Sequence, residues 1–132
     1  MRCCCLIRPE PHYRADAFRR GLARVGAKWV DAEQAELLVI WNRQAHNQQV
    51  AATVERRGGR VIVAENGYLG VEWRGAVWYA LSLGQHNGAG RWPDGGPERW
   101  DGYGIELPPF RTGGEERVLL PQRGIGFPGV AM

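Results

Sequence analysis

Leu37-Leu-Val-Ile-Trp41 is the most apolar stretch of the chain. A strand covered on both faces reads as an unbroken apolar run of this length, whereas a half-exposed strand alternates. The residues on either side support that reading. Asn47 can cap a helix over residues 48–57 that turns Val50, Ala51 and Val54 inward, and Gly58-Gly59 ends it. Arg60-Val-Ile-Val-Ala64 then supplies a second buried strand. Upstream, residues 3–7 form a short apolar strand that Arg8-Pro9-Glu10-Pro11 terminates, because proline cannot continue a ladder. Residues 13–25 place Ala17, Phe18, Leu22 and Val25 at helical spacing, and Gly26 stops that helix. Trp29-Val30 is a brief further strand. Strands alternating with crossover helices predict an α/β chain: a Rossmann-like three-layer domain with a mainly parallel sheet.

Composition narrows the class. At 132 residues the chain is at most one ordinary domain, and that length buries enough surface for a core without staples. Hydrophobic residues at 44% and charged residues at 23% exclude a disordered, solvated chain. No apolar run approaches the ~18 residues that span a bilayer. The amino-terminal apolar run meets Arg8-Pro9 too soon for a secretory signal. A cytoplasmic protein with no membrane partner is the expectation.

The net charge of +3 hides one lysine, Lys28, against sixteen arginines. Coding bias accounts for such a ratio, and arginine's planar fork also suits phosphate and carboxylate ligands. The arginines are scattered, so a nucleic-acid groove is permitted and not indicated. Cys3-Cys4-Cys5 are neighbours on a strand and point to alternate faces. They form neither a disulfide framework nor a zinc site, and small buried residues are what they predict.

The second half holds most of the glycines and the tryptophans Trp73, Trp78, Trp92 and Trp100. It predicts more loop than helix. Residues 77–83 alternate as a strand, residues 84–96 form a glycine-rich loop, and residues 99–103 make a helical turn. Val118-Leu119-Leu120 reads as another buried strand.

Ligands of open parallel sheets bind outside the carboxyl ends of the strands. Those ends deliver Arg8, Asn42-Arg43, Glu65-Asn66 and Gln122-Arg123. Every such sheet must end in polar residues, so position alone does not assign a ligand to any of them. Gln85-His86-Asn87-Gly88-Ala89-Gly90 adds an imidazole and an amide on a flexible loop, and His86 is a candidate general base. Arg111 and Arg123 flank the last strand and are candidates to hold a phosphate. No P-loop and no nucleophile elbow is present, and the first strand-to-helix turn carries prolines where a dinucleotide fingerprint needs glycines.

Several segments together carry a resemblance: His12-Tyr-Arg-Ala-Asp-Ala-Phe18, Val39-Ile-Trp-Asn-Arg43, Val61-Ile-Val-Ala-Glu-Asn-Gly-Tyr-Leu-Gly70, Trp78-Tyr79, His86-Asn-Gly-Ala-Gly90 and Leu119-Leu-Pro-Gln-Arg-Gly124. The chain resembles a family of uncharacterised phage and prophage proteins. In pattern it is similar to the amino-terminal part of GT-B glycosyltransferases, especially capsule-polysaccharide transferase-like ones. The resemblance implies a Rossmann-like domain over residues 1–113. Residues 114–132 would be a final strand and glycine-rich loop resembling the start of a missing donor domain. It also implies that Glu65, Asn66, His86 and Asn87 line the acceptor side of a cleft, with residues 124–129 as a phosphate-facing loop.

Two functions follow as expectations. One is sugar transfer to a phage-related acceptor such as modified DNA, in the host cytoplasm. Glu65 or His86 would then be the base, Arg8, Asn42, Asn66, Asn87, Arg111, Gln122 and Arg123 the substrate-binding groups, and a nucleotide sugar the donor. No metal or other resident cofactor is expected. The alternative is a non-catalytic module that binds a nucleotide or a protein partner. An unpaired strand edge further allows a homo-oligomer.

Overall fold

The computed structural model describes residues 1–67, 78–86, 89–92, 94–109 and 112–114, without the side chain of Arg99. The chain divides into two compact units, Met1–Trp92 and Pro93–Met132. The boundary expected after residue 113 lies inside the second unit. The strand expected at Val118-Leu119-Leu120 lies outside the described residues.

The first unit is α/β, built on a five-stranded, mostly parallel sheet. Its elements run β1 (Arg2–Cys5), α1 (Ala15–Arg24), β2 (Lys28–Trp29), β3 (Leu37–Trp41), α2 (Ala45–Arg56), β4 (Arg60–Asn66) and β5 (Tyr79–Leu83). The spatial order is β2-β1-β3-β4-β5. β1 pairs in parallel with β2 and β3, and β3 in parallel with β4. β5 pairs antiparallel with β4, Tyr79 facing Asn66 and Leu83 facing Ile62.

The sequence of each strand explains its two-sided burial. Cys4, Leu38, Ile40, Val61 and Val63 pack in one cluster with Ala51 and Val54 of α2. Their neighbours Cys3, Leu37, Val39 and Ala64 belong to a second cluster, against which Phe18 and Leu22 of α1 pack. Alternation along each strand therefore feeds both faces, and that is why β3 needs an apolar residue at every position. Leu38, Val39 and Ile40 are at most 2% exposed. The three cysteines are free thiols, Cys3 and Cys4 buried and Cys5 half-buried, so they serve as small core residues.

Both long helices end in the same left-handed cap. Gly26 has φ 73° and Gly58 φ 81°, a conformation that costs an L-residue about 1–2 kcal/mol. Beyond α1, the Gly26 and Ala27 amides donate to Ala23 and Leu22 carbonyls. Beyond α2, the Gly58 and Gly59 amides donate to Glu55 and Val54 carbonyls. Carbonyls of both last turns accept these bonds beside those from the Val25 and Arg57 amides.

The helix starts differ from expectation. Pro11–Tyr13 is a separate 3-10 turn, and Arg14, at φ 48°, breaks it from α1. α2 begins at Ala45, with Gln44 as its N-cap, three residues before the expected Asn47 cap. The Asn47 amide instead donates backwards to the Trp41 and Asn42 carbonyls at 2.9 and 3.1 Å, pinning the turn after β3. In the second unit the expected helical turn is α3, Glu98–Asp101, with Trp100 and Tyr103 in edge-to-face contact. No helix among the described residues is long and apolar enough to cross a membrane.

Candidate ligand-binding cleft

The strand order creates one place where the chain parts. The α1 crossover leads from β1 outward to β2, while the α2 crossover leads from β3 outward to β4 on the other side. Adjacent β1 and β3 thus send their connections in opposite directions, which opens a crevice beyond their carboxyl ends. A cleft of about 520 Å³ occupies that point. Leu6 and Arg8 reach it from β1, Trp41 and Asn42 from the end of β3, and Gln44, Ala45, His46 and Asn47 from the start of α2. Tyr13, on the 3-10 turn, closes another side.

Charge in this cleft has one sign. Arg8 is exposed and makes no ion pair with a described residue, since the pairs among those are Arg2–Glu36, Arg20–Asp16 and Arg43–Glu55. His46 stands nearby at the first turn of α2, and no Asp or Glu among the described residues lines the cleft. Gln44 makes no side-chain capping bond, so the amides of the first turn of the 12-residue helix α2 face outward with the positive end of its dipole. Asn42 and Ala45 hold left-handed backbone, at φ 56° and 45°. The turn between β3 and α2 is therefore a tight one, kept in place by the Asn47 bonds.

The other face of the same turn is structural. Arg43 is 7% exposed. Its guanidinium grips Glu55 through two bonds of 2.8 and 2.6 Å, donates to Gln48 Oε1 at 2.8 Å, and donates to the Gly84 carbonyl. The Arg43 backbone N–H donates to His86 Nε2 at 2.7 Å. That bond occupies the Nε2 lone pair and leaves the proton of the neutral ring on Nδ1.

The sequence-predicted residues separate accordingly. Arg8 and Asn42 come together in the cleft. Glu65 and Asn66 end β4, opposite Ala80 and Tyr79 of β5, and are not among the residues lining the cleft. His86 is not among them either, although its Nε2 accepts from the Arg43 N–H on the turn that bears Asn42. β5 runs against β4, so its following loop starts beside Val61, where the Gly84 amide donates to the Val61 carbonyl, and then returns to the turn between β3 and α2. Asn87, Arg111, Gln122 and Arg123 lie outside the described residues. So does Gly124-Ile-Gly-Phe-Pro-Gly129, whose glycines have the G-x-G-x-x-G spacing.

Tyr13, Gln44, His46 and Asn47 escaped the sequence reading as cleft residues. One signal was available, because Tyr13 and Gln44 fall in strand-to-helix connections that begin at a carboxyl edge, and His46 and Asn47 in the first turn of the helix that follows. No group of three or more His, Cys, Asp or Glu suited to a metal ion occurs among the described residues. Comparisons with protein-family models, with curated proteins and with solved structures return no match.

Proposed function

We propose that the Met1–Trp92 unit is a Rossmann-like, three-layer binding module for a small phosphorylated ligand, held in the cleft between β1 and β3. The observation that carries this reading is the cleft's position and charge. It lies at the switch point of a doubly wound strand order and is lined by Arg8 and His46, with no carboxylate among the described residues. An arginine fork and the outward amides of a helix start are the groups that bind phosphate oxygens. The volume falls within the range of small-molecule sites.

The nucleotide-binding alternative gains most from this geometry. A nucleotide sugar belongs to the same ligand class, and the GT-B resemblance keeps it in the probe set. Sugar transfer gains less, because neither expected base lines the cleft and the His86 Nε2 lone pair is already engaged.

The test is calorimetric titration of the full chain with pyrophosphate, a nucleoside monophosphate and a nucleotide sugar, with and without the substitution Arg8→Gln. Binding of at least one phosphorylated probe is expected, weakened about tenfold or more by Arg8→Gln, in line with loss of a charge-assisted bond. Absence of binding by every probe at millimolar concentration would overturn the proposal.

A further inference from the structure

The cleft is far roomier than a phosphate group requires, and its remaining walls are aromatic. Tyr13 and Trp41 both line it, in edge-to-face contact with ring centroids 5.1 Å apart. His12 lies against Tyr13 at 4.0 Å, and Trp41 meets Tyr79 edge-on at 5.7 Å, so the two lining rings belong to a continuous aromatic row. Tyr13 and Trp41 are only half-buried, which leaves ring surface available. Both are fixed independently of any ligand. Trp41 closes β3, and Tyr13 ends a proline-initiated turn whose amide donates to the Glu10 carbonyl at 3.0 Å.

An exposed arginine, without an ion pair among the described residues, and an aromatic wall in one cleft suit a ligand with an anion at one end and a planar ring at the other. Resting on the phosphate-binding reading above, we infer that this ligand is a nucleotide, with its phosphate at Arg8 and the start of α2 and its base against Tyr13. Stacking on an aromatic face tolerates any base, so the inference extends to the class and not to one nucleobase.

The experiment compares a nucleoside 5′-monophosphate, ribose 5-phosphate and inorganic phosphate as titrants of the full chain. The nucleotide is expected to bind about tenfold or more tightly than ribose 5-phosphate, the increment of one stacked base. Tyr13→Leu should erase that advantage, with its circular dichroism spectrum reporting that the variant is folded. Tyr13→Phe, which keeps the ring, should retain the advantage. Equal binding of nucleotide and ribose 5-phosphate by the native chain overturns the inference and leaves the phosphate reading standing. A nucleotide advantage that survives Tyr13→Leu also overturns the base assignment. Failure of all three titrants to bind removes both.

Discussion

Arg43 shows how one residue can hold a turn without lining the cleft beside it. Its guanidinium is buried and fully engaged by Glu55, Gln48 and the Gly84 carbonyl. Removing one partner of such a pair leaves an uncompensated charge in a poorly solvated place. Glu55→Ala should therefore lower stability by about 2–3 kcal/mol in urea unfolding, less than a wholly buried pair, because the Glu55 side chain is 37% exposed. The cysteines act through their protons. Burial, reinforced by the neighbouring thiols Cys5 and Cys4, pushes the Cys3 thiol from 9.0 up to about 11. Burial also raises Cys4 and Cys5. Between pH 9 and 11 the unfolded chain gives up the Cys3 proton while the folded chain keeps it. Stability is thus full below pH 9 and falls as pH rises toward 11, by roughly 3 kcal/mol at most from Cys3. Urea unfolding across that window should show the decline, and Cys3→Ala should make it shallower, leaving the share of Cys4 and Cys5.

At the scale of elements, the helix ends were more legible than the helix starts. A glycine after an amphipathic run marks a left-handed cap, and Gly26 and Gly58 adopt it. Gly58→Ala is expected to cost about 1 kcal/mol through strain at φ 81°, in an open position where added bulk meets nothing. Gly59→Ala should cost more, since its Cβ would fall 2.5 Å from a Val54 methyl group and 3.0 Å from the Val54 carbonyl. Thermal unfolding of the two variants distinguishes strain from collision. The start of α2 was misplaced because Asn47 has the side chain of a cap and uses it otherwise: its amide ties back to the carbonyls that end β3. Nothing local in the sequence tells an Asn that accepts from an amide apart from one that donates to a carbonyl.

Across the whole first unit, β3 is the axis. It is hydrogen-bonded on both edges, by β1 and β4, and covered on both faces. Amide exchange should therefore be slowest in Leu37–Trp41 and faster in β5, where Leu81 is 41% exposed. Exchange in β5 as slow as in β3 would contradict this ranking. The same architecture decides which predicted residues can share a ligand. Parallel β1 and β3 deliver Arg8 and Asn42 to one cleft, whereas the Gly84–His86 turn that follows the reversed β5 is held by Arg43 and does not line it.

Apolar spacing in the sequence was enough to determine the central strands, the two crossover helices, their glycine caps and the burial of the thiols. These depend on neighbours a few residues apart, through side-chain period and backbone strain. The direction of β5, the pairing of β1 with both β2 and β3, and so the site of the crevice, were decided by tertiary structure. Pairing partners far apart in the chain leave no periodic trace, because a strand shows the same alternation whichever way its neighbour runs. Tyr13 joins Trp41 at the cleft only once β1 and β3 lie side by side.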